Sequence, residues 1–333
     1  MKSNLKSLFA AASIFTLLLA NACASSTSQQ EQSTTSDELR VSPLDMTGSS
    51  GSFNSLSVDA VTEDLPTTLM VYRVVPADVQ VAWVQERAAS LGLEGRVAEH
   101  RDRYVIAGQD AVLTVEKDTG SFDYTTAAFE AQTEPIKNIL TDDEYRARAD
   151  AFLTETGLME PQAEFRDVNH GNVVGVYENG TWVEHPYMVE VRYSHKPLDG
   201  VAFDQGVGPK IIVQFGENGE ILGAMSVWRD VEPVKDYDLK TLDQALKDVC
   251  AGDAQVFGIT QDARGTVDEV EISYINEPLG YNQLFVLPSY ILRGHAADGT
   301  TFTAVCRAIP DDQLSVDESL SGTYSAPLST GKD

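Results

Sequence analysis

The chain has 333 residues, 42% of them hydrophobic, with 51 acidic against 24 basic side chains and a formal charge of −27 at pH 7. That length holds one large domain or two to three small ones, and the apolar share is adequate for a buried core. So negative a surface repels nucleic acid and anionic headgroups, which makes nucleic acid a poor partner and leaves solubility as the plain reading of the charge.

Lys2 and Lys6 precede a short apolar run, Leu8 to Ala20, and small residues then lead to Cys23. The run is too short to span a bilayer, which takes about 20 apolar residues. Its charged start and small-residue end predict a cleaved export signal over residues 1–22. Two cleavage readings stand. Ala20-Asn21-Ala22 suits an ordinary signal peptidase. The same stretch resembles the lipobox of bacterial lipoproteins, whose cysteine becomes the lipidated first residue. The usual Leu three places before that cysteine is Ala20 here, with Leu19 one further out, and Asn21 also departs from the usual pattern. The resemblance implies a lipid such as palmitate on Cys23 and a membrane-anchored protein facing the periplasm or the exterior. Because Ala24 is not Asp, it also implies the outer membrane if the host is Gram-negative.

Residues 23–65 are rich in Ser, Thr, Gln and Gly, too polar to offset ordering entropy, and are expected to be a disordered tether. Roughly 40 such residues have an r.m.s. span of about 35 Å. Residues 311–333 are expected to be a disordered tail.

Between them the pattern of a helix followed by strands recurs three times. The first unit, 66–138, has Val81, Val84, Ala88 and Leu91 at helical spacing before Gly92, then strands at Arg103 to Ile106, Ala111 to Glu116 and Ser121 to Thr125. The second, 139–238, opens on Thr141 with Glu144 three places on, a capping box. Tyr145, Ala149, Phe152 and Leu153 form that helix's apolar face, and Gly157 stops it. Strands follow at Tyr187 to Tyr193, Lys210 to Phe215 and Glu220 to Trp228, the last two joined by a turn at Glu217-Asn218-Gly219. The third, 239–310, opens on Thr241 and Gln244, with Leu242, Ala245, Leu246, Val249 and Cys250 on one helix face. Its strands are Val267 to Tyr274, Gln283 to Arg293, where Pro288 suggests an edge or bulge, and Thr301 to Ile309. The expected fold class is α+β, built from repeated αββ-like units. Trp83, Phe152, Trp228 and Tyr290 are expected core aromatics.

An exported chain makes a disulfide between Cys250 and Cys306 the natural reading. It would close a loop of about 57 residues, worth about 4 kcal/mol in the chain-entropy model. Two cysteines without neighbouring His or Cys do not complete a zinc shell, and Glu116 to Asp123 lacks the ligand alternation of a calcium loop. His100, His170, His185, His195 and His295 form no metal motif and read as surface or turn residues. His185 and His195 sit at opposite ends of one strand, over 30 Å of extended chain by the ~3.3 Å rise per residue. No nucleophile elbow or phosphate loop is present, and Gly206-Val207-Gly208 precedes a strand rather than opening a helix. No catalytic, cofactor-binding or metal residue is therefore expected, nor any cofactor, and the chain reads as non-enzymatic.

Phe152-Leu153-Thr154-Glu155-Thr156-Gly157-Leu158, Tyr187 to Tyr193, Gly200-Val201, Lys210 to Phe215 and Gly219 to Gly223 together resemble PepSY-type domains and related extracytoplasmic regulatory proteins of bacteria, over residues 141–230. The resemblance implies a helix packed on an antiparallel sheet, and action by binding: some relatives inhibit secreted proteases as propeptides, others tune membrane sensors. The leading expectation is a lipid-anchored regulatory module acting on another envelope protein. An envelope hydrolase with two convergent carboxylates and a small-ligand-binding lipoprotein are the alternatives.

Overall fold

Thr141 and Glu144 bond each other's backbone N–H groups, and Thr241 and Gln244 do the same, so both predicted capping boxes start helices. The computed structural model describes residues 39–43, 51–60, 62, 65–203, 205–206, 208, 210–259, 263–277 and 282–321. The expected signal peptide, Cys23 and the far end of the tail lie outside the described residues.

In chain order, β1 (Leu39–Val41), β2 (Phe53–Val58) and β3 (Thr68–Val75) precede α1 (Val81–Ser90). Then come β4 (Ala98–Glu99), β5 (Arg103–Ala107), β6 (Ala111–Glu116), β7 (Phe122–Thr126), the short α2 (Ala127–Ala131) and α3 (Asp142–Glu155). The central part holds β8 (Ala163–Glu178), β9 (Thr181–His195), β10 (Gln205–Gly206), β11 (Lys210–Phe215), β12 (Ile221–Val227) and β13 (Asp230–Asp238). It is followed by α4 (Leu242–Ala251), β14 (Gln255–Phe257), β15 (Ala263–Asn276), β16 (Phe285–Val286), β17 (Pro288–Ala296), β18 (Thr301–Arg307) and β19 (Leu314–Val316).

These strands do not form three helix-plus-sheet units. The expected α+β repeat is overturned by a mostly β architecture with four helices among the described residues. β7 of the first expected unit pairs with β12 of the second, giving one eight-stranded antiparallel sheet ordered β4-β5-β6-β7-β12-β11-β9-β8. The physical reason is that an exposed edge on β7 is satisfied by β12, so the first two units share a sheet and a core. One core cluster takes Val84 and Ala88 from α1, Tyr145, Ala149 and Leu153 from α3, and the sheet residues Leu113, Val115, Val189, Val191, Ile211, Val213 and Phe215. Each large side chain so buried contributes about 1.5–3 kcal/mol. Trp228 and Tyr290 are buried as expected, whereas Trp83 and Phe152 are only half-buried.

β10, β15, β17, β18 and β14 form a second sheet, with β2 pairing in parallel to β15. Ala245 and Val249 of α4 pack into its core with Tyr290, Leu292, Phe302 and Ala304. Pro288 lies on no edge: it is the first residue of a central strand, one residue (Leu287) after the end of β16, which belongs to a separate three-stranded sheet ordered β13-β3-β16. A strand's first residue tolerates a missing N–H, so the proline sits where the chain changes sheets.

The expected tether and tail are also corrected. β1 and β2 lie inside the stretch read as tether, and Leu39, Val41 and Phe53 are buried. β1 pairs in parallel with β19, which lies inside the expected tail, and Arg40 bonds Asp317. Composition failed here because two or three apolar residues seat each short strand on a core supplied from elsewhere in the chain. Among the described residues no helix is long and apolar enough to cross a membrane.

Candidate binding surface

β8 and β9 are the longest strands, and their hairpin outruns the sheet. β11 follows β9 only as far as Phe215 opposite Val189. Beyond that point the two strands continue as an arm, paired with each other to Glu178 opposite Thr181. Asn179 at φ 49° and Gly180 at φ 90° make the tip, where two successive left-handed residues match the twist of a tight hairpin. Asn-Gly between Val-rich and aromatic runs was a readable signal for this hairpin, and the sequence reading missed it.

The arm concentrates exposed apolar side chains. Trp182 is 74% exposed and Tyr177 62%, and Val173 and Val183 are also exposed. Residues paired across the ladder share a face, so Val173, Gly175, Tyr177, Trp182, Glu184 and Pro186 line one side. Val174, Val176, Val183 and His185 line the other. On the first side the Tyr177 and Trp182 rings meet edge to face at 5.5 Å. The Trp182 ring also covers Gly175, its nearest carbon 3.3 Å from where a Cβ would stand. On the second side His185 Nε2 lies 3.1 Å from Glu178. A two-stranded arm has no core of its own, so these side chains stay in water unless something else covers them.

The other sequence candidates are scattered. His170 pairs with Asp142 at 2.9 Å and His295 with Asp268 at 2.7 Å. His195 corrects the surface reading: it is buried, stacked on Trp228 at 5.1 Å, with Nδ1 2.6 Å from the Lys196 carbonyl. Burial pulls its pKa below the ordinary histidine value. Among the described residues no group of three or more His, Cys, Asp or Glu is placed to hold a metal ion.

Cys250 and Cys306 both carry free thiols, so the expected disulfide is not formed in this structure. Cys306 Sγ reaches the Ala245 carbonyl at 3.9 Å, five positions before Cys250. That separation is about 7.5 Å along the helix axis, and Cys250 instead interacts with the backbone of Leu56 on β2. Burial pushes the Cys306 thiol up to about 12.

The carboxylates that line a described cleft are paired with cations or histidine. Two open clefts of about 470 and 400 Å³ lie at the second sheet. In the first, Glu269 is paired with Arg293 at 3.3 Å and Asp268 with His295. Glu160 is a carboxylate pushed up by burial and by Asp230, partly offset by Arg87, and it lines neither cleft. The most deeply buried charge is Arg229, 1% exposed, which donates to the Asn276 side chain at 2.7 Å and the Glu277 carbonyl at 2.8 Å. Burial pulls its pKa down to about 10.

No protein-family model and no curated protein matches this chain. Among solved structures it is similar to the crystal structure of an uncharacterized protein from Eubacterium rectale ATCC 33656 at 1.45 Å resolution, with 8% sequence identity and a TM-score of 0.41, covering 77% of this chain and 89% of that one.

Proposed function

We propose that this chain is a lipid-anchored extracytoplasmic module that acts by binding another envelope protein, without catalysis of its own. The observation that carries the reading is the arm: a hairpin that outruns its sheet, with Trp182 and Tyr177 standing in solvent. Aromatic side chains of this kind are the commonest anchors of protein interfaces, because they bury large area with few rotors to freeze. Lipidation of Cys23 holds the module at a membrane, and the regulatory role implied by the PepSY-type resemblance belongs to the same proposal.

The test is a photo-crosslinking residue in place of Trp182 in the full chain, in its own envelope, beside a control at the exposed Glu86 on α1. One envelope protein captured repeatedly at 182 and not at 86 supports the reading. Capture at background level from both positions removes it.

A further inference from the structure

The outer edge of β8 is the second unusual feature of the arm. β8 ends the eight-stranded sheet, so among the described residues no strand pairs with its outer side. Edges of this kind invite pairing, and native chains blunt them with bulges and charge. The inner half of β8 is blunted in this way, with register breaks between Phe165 and Asp167, Asn169 and Asn172, and Asn172 and Val173. From Val173 to Glu178 the register is unbroken, and five of those six residues are Val, Val, Gly, Val and Tyr. A regular, uncharged, β-branched edge is left bare on the part of the strand that leaves the body of the protein.

We infer that this edge pairs antiparallel with the same edge of a second copy of the chain, about a twofold axis at Gly175. The choice of occupant rests on side-chain complementarity. Centred on Gly175, Val174 faces Val176 of the other copy and Val173 faces its Tyr177, so every apolar side chain meets an apolar one. Glu178 then faces Asn172, and no like charges oppose each other. Moving the centre to Val174 sets Tyr177 against Gly171 and Val176 against Asn172; moving it to Val176 sets Val174 against Glu178. Only the Gly175 register keeps the apolar set together while preserving which face is which. The charge of −27 on each copy opposes association at long range, but salt screens it beyond about 8 Å at physiological ionic strength.

The pairing also completes the proposed binding surface, on whose assignment it rests. Tyr177 and Trp182 share a face with Gly175, so two copies joined there bring both aromatic pairs onto one continuous platform. Each copy supplies half of it.

A photo-crosslinking residue in place of Tyr177, in the full chain in its own envelope, reads the contact. The expected product is an adduct of twice the chain's mass that joins position 177 to the neighbourhood of Val173. Val174→Lys with Val176→Lys sets lysines opposite lysines and should abolish it. Co-expression with a Val174→Glu, Val176→Glu copy should restore it, between unlike copies only, which a merely misfolded arm would not do. An adduct containing only another protein, or no adduct, overturns the twofold pairing. If Trp182 still captures one envelope protein in that case, the binding proposal survives without the dimer. If both positions capture nothing, both fall.

Discussion

The Tyr193 hydroxyl on β9 donates to the Asp150 carboxylate on α3 at 2.7 Å. Burial, and then the Asp150 charge, push that hydroxyl far above its ordinary range, so it stays protonated and keeps donating. The bond ties α3 to β9, whose far end forms the arm. Tyr193→Phe should lower stability by about 1 kcal/mol, and Asp150→Ala by a similar amount. The double variant should lose less than the two losses added, read from urea midpoints.

Thr141 caps α3 through its side chain, with Glu144 returning the bond. Thr141→Ala should cost about 1 kcal/mol, while Thr141→Ser should cost little because the hydroxyl oxygen is retained. Thermal melts of the two variants side by side would show the difference.

Glu160 gives a pH prediction. Its folded pKa is raised, chiefly by burial and then by Asp230. Between the unfolded and folded values the folded state binds more protons, so stability falls as pH rises through that window. Above it the full penalty is present. Glu160→Gln should therefore raise the melting temperature at pH 7 and lose that advantage near pH 4.

How far the sequence reached is clearest at α3. Thr141, Glu144, Tyr145, Ala149 and Leu153 were readable because capping and a 3.6-residue period are local properties. The strands at Lys210 to Phe215 and Ala111 to Glu116 were legible from apolar content and flanking turns. β8 was not: Asp167, Asn169, His170, Gly171 and Asn172 interrupt its alternation, and bulges absorb the interruption. β1 and β2 were hidden for another reason. Their neighbours β19 and β15 are more than 200 residues away in sequence, and no local pattern announces a partner that distant. The candidate surface was missed with β8, although Asn179-Gly180 marked its tip.

Trp182 separates stability from binding. At 74% exposure its side chain supports little beyond Gly175 and Tyr177. Trp182→Ala should change folding stability by less than about 1 kcal/mol, the usual range for an exposed site. It should nonetheless reduce capture of the envelope partner by a photo-crosslinking residue at the exposed Glu184, which lies on the same face of the arm. A large fall in melting temperature would mark Trp182 as a structural residue instead.

The two thiols should react at very different rates. Cys306 is buried with its thiol pushed up to about 12, whereas Cys250 is half-exposed. In reduced protein at pH 8 a maleimide should modify Cys250 within the native state and Cys306 only on unfolding. Peptide mass spectrometry after timed quenching distinguishes them, and equal rates would contradict the buried placement.

The pairing of β1 with β19 places the start of the described fold at Leu39. With Cys23 as the proposed anchor and the fold beginning at Leu39, the roughly sixteen intervening chain steps stretch to at most about 55 Å. A tether running to residue 65 would have stretched more than twice as far. Under the proposed anchoring, the folded part would stay within that reach of the bilayer, and so would any partner it holds.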